Sequence, residues 1–162
     1  MKLSVLVGTV AVALILPGRA PAQGVVTERT LSLGLAKTIA EAALAECKSK
    51  GFNTTVAVVD RAGQVLVLLR DEKATGQQLE MARRKAYTAR MFRMSTLEFQ
   101  KRTNDPFYAA QRNVSDILAL GGGVPILAGS DVIGGVASSG SSQEQDDACA
   151  KVGVAKVAEL LH

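Results

Sequence analysis

The sequence predicts an α/β domain of the α+β type: a single antiparallel β-sheet built from two hairpins and flanked by helices. Two observations carry this expectation. Aliphatic and β-branched runs come in pairs, and the turns joining them are too short for a crossover helix, so paired strands must run antiparallel. Stretches with the 3.6-residue period of a helix precede, separate and follow those pairs.

Each element has a local cause. From Leu31 to Lys50, apolar residues recur at Leu35, Ile39, Ala42, Ala43 and Cys47, and Gly51 is placed to stop a helix. Thr54–Asp60 and Gln64–Arg70 are strand-like runs around the turn Arg61-Ala62-Gly63. A helix from about Gln77 to Arg93 carries the stripe Leu79, Ala82, Ala86, Ala89 and Phe92. Ser95 with Glu98 reads as a capping box opening a second helix, and a shorter helical stretch is expected near Ala109–Leu118. After the break at Gly121-Gly122-Gly123, Pro125–Leu127 and Val132–Ser138 pair around Ala128-Gly129-Ser130-Asp131. Ser141 with Glu144 is expected to cap a last helix reaching about Leu161.

The first 22 residues read as a cleaved secretory signal. Lys2 supplies the positive end, Val5–Leu16 is apolar, Pro17-Gly18 breaks the run, and Ala20-Pro21-Ala22 has the small-x-small form of a cleavage site. The apolar run is short of the ~20 residues that span a bilayer. The expected organisation is therefore a signal peptide over 1–22, cleaved after Ala22, and one domain over 23–162 that is periplasmic or secreted. Cys47 sits late in the first helix and Cys149 early in the last; in an exported chain these form a disulfide or remain as two buried thiols, and both readings stand.

Composition removes several function classes. The chain has one histidine, His162 at the last position, so a His-based zinc cluster has too few ligands and a Ser-His-Asp relay would need the terminus to fold back. The net charge of +4 falls when Lys2 and Arg19 leave with the leader, so charge gives no support to nucleic-acid binding. The triple glycine lacks the Lys-Ser/Thr of a phosphate loop and precedes a strand, so it reads as a tight connection. Asp146-Asp147 as a metal pair lacks further oxygen ligands in reach of the pattern. Lys85 lies on the edge of its helix's apolar stripe, where a cation can meet a carboxylate at a pocket mouth.

Taken in order, VAVVDRAGQVLVLLRDEKA, ARRKAYTARMF and GGGVPILAGSDVIGGVASSGSSQEQDDACAKVG resemble the GlcG/HbpS family over about Leu31–His162. The motifs carrying the resemblance are Val-Asp-x-x-Gly, Lys-Ala-x-Thr-Ala, Gly-Gly-x-Pro-Ile, Val-Ile-Gly, Ser-Gly and Ala-x-x-Gly. The resemblance implies a haem-binding or haem-degrading domain, similar to the C-terminal domain of PduO, that assembles into homo-oligomers. Some members serve membrane sensors, so a sensor or transport partner is a further implication. The family's recurrent polar and turn positions fall on Asp60, Gly63, Arg70, Lys85, Thr88, Gly122, Gly123, Pro125, Ser139, Gly140 and Asp146. Asp71-Glu72-Lys73-Ala74 departs from the family's Met-Asp-Gly-Ala run, and the domain body has no His to ligate iron.

The expected function is thus an exported, non-catalytic haem or tetrapyrrole binder. Arg70 and Lys85 are the cations for propionates, with Thr88 and Met91 on the Lys85 side of the helix. Met81, Met91, Tyr87 and Tyr108 stand in as axial donors. The competing readings are a binder or enzyme for a small organic acid, clamped by the same two cations, and a regulatory oligomer with no ligand chemistry.

Overall fold

The computed structural model describes Gly24 and residues 26–161; the expected leader and His162 lie outside the described residues. Four helices and a four-stranded antiparallel sheet form an α+β domain. Its elements are α1 (Leu33–Ser49), β1 (Thr55–Asp60), β2 (Val65–Arg70), α2 (Gly76–Phe92), α3 (Thr96–Arg102), β3 (Gly123–Ala128), β4 (Asp131–Ser139) and α4 (Gln143–Ala155).

The sheet order is β2-β1-β4-β3, so the two expected hairpins are joined through β1 and β4 at the centre. Opposed residues of an antiparallel pair share a face. The row Arg70–Thr55–Ser139 therefore looks one way, together with Ala57 and Ala137. Ala57, Val59 and Ala137 pack on Ala82 and Ala86 of α2. Val56, Val58 and Val136 face the other way, into the main core with Ala36, Ile39, Ala40 and Ala43 of α1 and Ala150 of α4. Both faces of β1 are thus covered, which is why its sequence is a continuous apolar run and not an alternating one.

Small residues allow the layers to sit close. A Cβ at Gly135 would lie 2.4 Å from the carbonyl oxygen of Ala86, and one at Gly123 would lie 2.5 Å from that of Lys85. Both strands therefore lie directly beneath the α2 backbone. A Cβ at Gly153 of α4 would meet the Ile39 carbonyl oxygen at 2.6 Å. This helix–helix contact uses up the alanine face of α1: Ala36, Ile39, Ala40 and Ala43 are fully buried within one chain.

Three local expectations are corrected. The stretch expected as a helix over 109–118 is only a 3₁₀ turn at Ala109–Asn113 that buries no residue, so nothing supports a longer helix there. The last α-helix stops at Ala155, because the hydrogen bond from Val157 tightens onto Val154 and seats Val157 in the core; a 3₁₀ turn follows at Ala158–Leu160. Its cap is Ser142, whose hydroxyl accepts from the Gln145 N–H, and not Ser141.

Cys47 and Cys149 form a disulfide between α1 and α4, with 5.6 Å between their Cα atoms and 102 positions between them in sequence. A loop of that length reduces the entropy of the unfolded chain by an amount worth about 4–5 kcal/mol on the chain-entropy model. The double variant Cys47→Ser/Cys149→Ser is expected to lose about 2–5 kcal/mol of unfolding free energy in denaturant titration. The wild-type protein should lose a similar amount when reduced.

Candidate functional site

Lys85 does meet a carboxylate, but it is the chain's own. Its ammonium lies 3.0 Å from Oδ2 of Asp146, and both side chains are only 2% exposed. The same Nζ donates to the carbonyl oxygen of Ser138 at 3.2 Å. Asp146 is in turn saturated: Oδ2 also accepts from the Gly140 N–H, and Oδ1 accepts from the Ser141 N–H and hydroxyl. Burial pushes the Lys85 ammonium below the usual lysine range, with the Asp146 charge and hydrogen bond opposing it.

The glycines flanking β3 make room for this pair. Gly122, at φ +121°, has its Cβ direction filled by Asp146 Cβ at 2.7 Å, the Ser138 carbonyl oxygen at 2.7 Å and Lys85 Nζ at 3.0 Å. The triple glycine is therefore a backbone shelf beneath an ion pair. Asp147 points to a separate partner, Lys151, at 2.6 Å, so the two adjacent aspartates do not converge as metal ligands. Among the described residues no group of three or more His, Cys, Asp or Glu could hold a metal ion.

Beside the pair is a cavity of about 300 Å³ lined by Gln78, Met81, Lys85 and Leu120, and by Ser139, Gly140, Ser141, Gln143 and Asp146. It brings together Lys85, Ser139, Gly140 and Asp146 of the expected site and leaves others out. Arg70 donates to the Ala74 carbonyl and lines no part of it. Thr88 is buried: its hydroxyl donates to the Arg84 carbonyl and accepts from the Leu118 N–H, anchoring the chain before β3. Met91 is largely exposed. Tyr87 lies across Gly63, and Tyr108 stacks under the Arg102 guanidinium at 4.3 Å, so neither tyrosine shares the cavity with Lys85. Asp60 shapes the first turn by accepting from the Gln64 N–H.

A larger groove, about 860 Å³, runs along edge strand β3 between α3 and α4. Its apolar lining is Met94, Val124, Pro125, Leu127, Val154 and Ala155. Three cations, Arg93, Arg102 and Lys151, line it as well, together with Glu98. Of the residues expected to bind ligand, only Pro125 belongs to it. Arg93 reaches this place because it ends α2 in the left-handed conformation, at φ 57°. Glu98 closes the capping box of α3 by accepting from Ser95, whose hydroxyl and backbone hold the carboxyl below its ordinary range. An apolar floor with cations at its margin suits a flat, apolar dianion such as haem, with Met94 the soft donor within the lining. The smaller cavity is at the bottom of the size range for such ligands.

Two outcomes are expected. Lys85→Met strands Asp146 as an uncompensated buried charge and should cost about 3–5 kcal/mol, whereas Lys85→Met/Asp146→Leu should restore much of that loss in the same denaturation assay. Because the Glu98 carboxyl is depressed in the fold, its contribution is present above its unfolded value near 4.5 and is lost as pH falls through the lower folded value. Glu98→Gln should therefore flatten the acid limb of a stability–pH profile while leaving its neutral shape intact.

The comparisons with known proteins agree with this architecture. The family described as "Haem degrading protein HbpS-like" matches residues 31–155. The chain is 31% identical over 134 residues to an uncharacterised 15.0 kDa protein from the dhaT-dhaS intergenic region of Citrobacter freundii, covering 81% of this chain and 94% of that one. A crystal structure of a double mutant of Streptomyces reticuli HbpS matches with a TM-score of 0.78 and 33% identity, covering 86% and 97% of the two chains. A PduOC:heme complex matches with a TM-score of 0.71 and 26% identity, covering 79% and 95%.

Proposed function

The chain belongs to the HbpS-like family, and from that premise we propose that it is an exported haem-binding protein whose groove between α3, β3 and α4 receives the ligand. The observation that carries this reading is the composition of the groove: six apolar residues beside Arg93, Arg102 and Lys151, in a space large enough for a tetrapyrrole. The solved haem complex of a relative with the same fold supports the choice of ligand.

The residues divide the work by chemistry. Val124, Leu127 and Val154 bury the macrocycle's apolar surface, while the guanidinium and ammonium groups hold carboxylates by charge-assisted hydrogen bonds. When bound, haem supplies iron chemistry that a chain without a domain-body histidine lacks. Glu98 is occupied by its capping role, so Met94 is the side chain of the groove left to approach iron. A thioether is a poor partner for ferric iron, and the groove is open to solvent on one side. The proposed binding is accordingly exchangeable and held by burial and charge more than by an axial bond.

Export is the second part of the proposal. It rests on the leader pattern of the first 22 residues and on the Cys47–Cys149 bridge, a bond that persists in oxidising compartments and is rare in a reducing cytosol. Self-association is the third part. Val65 and Leu68, exposed on edge strand β2, offer an apolar surface for it in place of the consumed face of α1.

Haemin titration of the mature protein should give a saturable Soret shift in the micromolar range, weakened about tenfold or more in Arg102→Ala/Lys151→Ala, taking each exposed charge contact at ~1 kcal/mol. An unshifted Soret band would reject the function, and wild-type binding by the double variant would reject the groove. For export, N-terminal sequencing of protein recovered outside the cytoplasm should begin at Gln23, within a few residues; recovery of an uncleaved chain in the cytosol would overturn that part.

A further inference from the structure

The small cavity beside Lys85 has a hydrogen-bonding imbalance that points to a second ligand. Every acceptor position of Asp146 is taken by Lys85, Gly140 and Ser141. Lys85 has three N–H bonds and two protein acceptors, leaving one. The orientation of both glutamines is set by backbone donors. Oε1 of Gln78 accepts from the Thr75 N–H, and Oε1 of Gln143 accepts from the Gly121 N–H, each at 2.6 Å. Both carboxamides must then have their NH₂ groups unpaired by these contacts. Ser139, only 1% exposed, lines the cavity as well and brings a hydroxyl to it. What is left over is almost wholly donors, while Met81 and Leu120 supply apolar wall.

We propose that this cavity binds a short-chain monocarboxylic acid, with the carboxylate received by Lys85 Nζ, the Ser139 hydroxyl and the Gln78 and Gln143 carboxamides, and the alkyl chain against Met81 and Leu120. A carboxylate is a small group made only of acceptors, and its four lone-pair sites match one donor from each of these four side chains. The volume of about 300 Å³ limits the ligand to a few carbons and excludes haem from this place. Asp146 does not repel the ligand as a bare charge would, because Lys85 neutralises it and three further donors saturate it. The site is independent of the groove reading: it uses none of the groove's residues.

The test is a two-dimensional amide NMR titration of the oxidised mature protein with butyrate, and with butyramide as the uncharged isostere. Butyrate is expected to shift the backbone amides of Gly140, Ser141 and Gln143 and the side-chain amides of Gln78 and Gln143 in a saturable manner. Butyramide should bind at least tenfold more weakly. Ser139→Ala and Gln78→Leu, which leave the Lys85–Asp146 pair intact, should each weaken butyrate about fivefold, the worth of one hydrogen bond. Their spectra report folding directly, and their haemin titrations should match wild type. Unsaturable or absent shifts, shifts centred elsewhere, equal binding of butyramide, or undiminished binding by both variants would each overturn the proposal. A failed haemin titration would not bear on it.

Discussion

One ammonium–carboxylate contact ties together the two faces of this sheet. Lys85 belongs to α2, on the face of Ala57 and Ala137, whereas Asp146 belongs to α4, which packs on the opposite face. The contact rounds the end of β4, where the chain passes from strand to helix through Gly140 and Ser141. Much nearby geometry follows from it. The Ser138 carbonyl faces the ammonium, Gly140 and Ser141 ahead of α4 donate to the carboxylate, and residue 122 has no space for a side chain. Such a pair adds little net stability, since removing both charges from water costs several kcal/mol. It does penalise any displacement of α4 relative to α2, because a shifted helix would leave one charge buried alone.

The two cavities sit at opposite ends of α4, the small one beside Gln143 and Asp146 and the groove beside Lys151, Val154 and Ala155. The groove collects cations at the border of an apolar surface, where Lys151 pairs with Asp147 and Arg102 lies over the Tyr108 ring. The small cavity sets a ring of polar groups against the apolar wall of Met81 and Leu120, and its one formal charge pair is already neutralised. Size alone separates what each could hold, about 860 Å³ in the groove against about 300 Å³ in the small cavity.

Much of the fold is legible in the sequence because hydrophobic period and turn chemistry act over a few residues. The two hairpins, the α3 capping box and the spans of α1 and α2 are all local signals. The candidate site was only partly legible. Lys85 sits at the edge of a helical stripe, and whether such a side chain extends to solvent or turns inward depends on Asp146, 61 positions away. Arg93, Arg102 and Lys151 come from the end of α2, from α3 and from α4, and nothing short of packing brings them to one groove. The available signal was the Arg-Met-Ser-x-x-Glu junction, where a cation precedes a capping box and must sit at a helix–helix corner. Met81 and Met91 are ten positions apart on one helix, yet one faces a cavity and the other solvent, a difference that period alone does not assign to iron binding.

The bridge between Cys47 and Cys149 also sets an order of events in time. Its first half is made early in synthesis and its second half lies in the last helix, so α1 spends most of translation with an unpaired thiol and an uncovered alanine face. During that interval the hairpins can form, but the layer that closes over Val56, Val58 and Val136 remains half built. The final residues of α4 thus bring the partner thiol, the glycine that lets α1 approach, and the apolar lid in a single step. A chain cut short before residue 149 would lose all three together, which makes the intact domain its own test of complete synthesis.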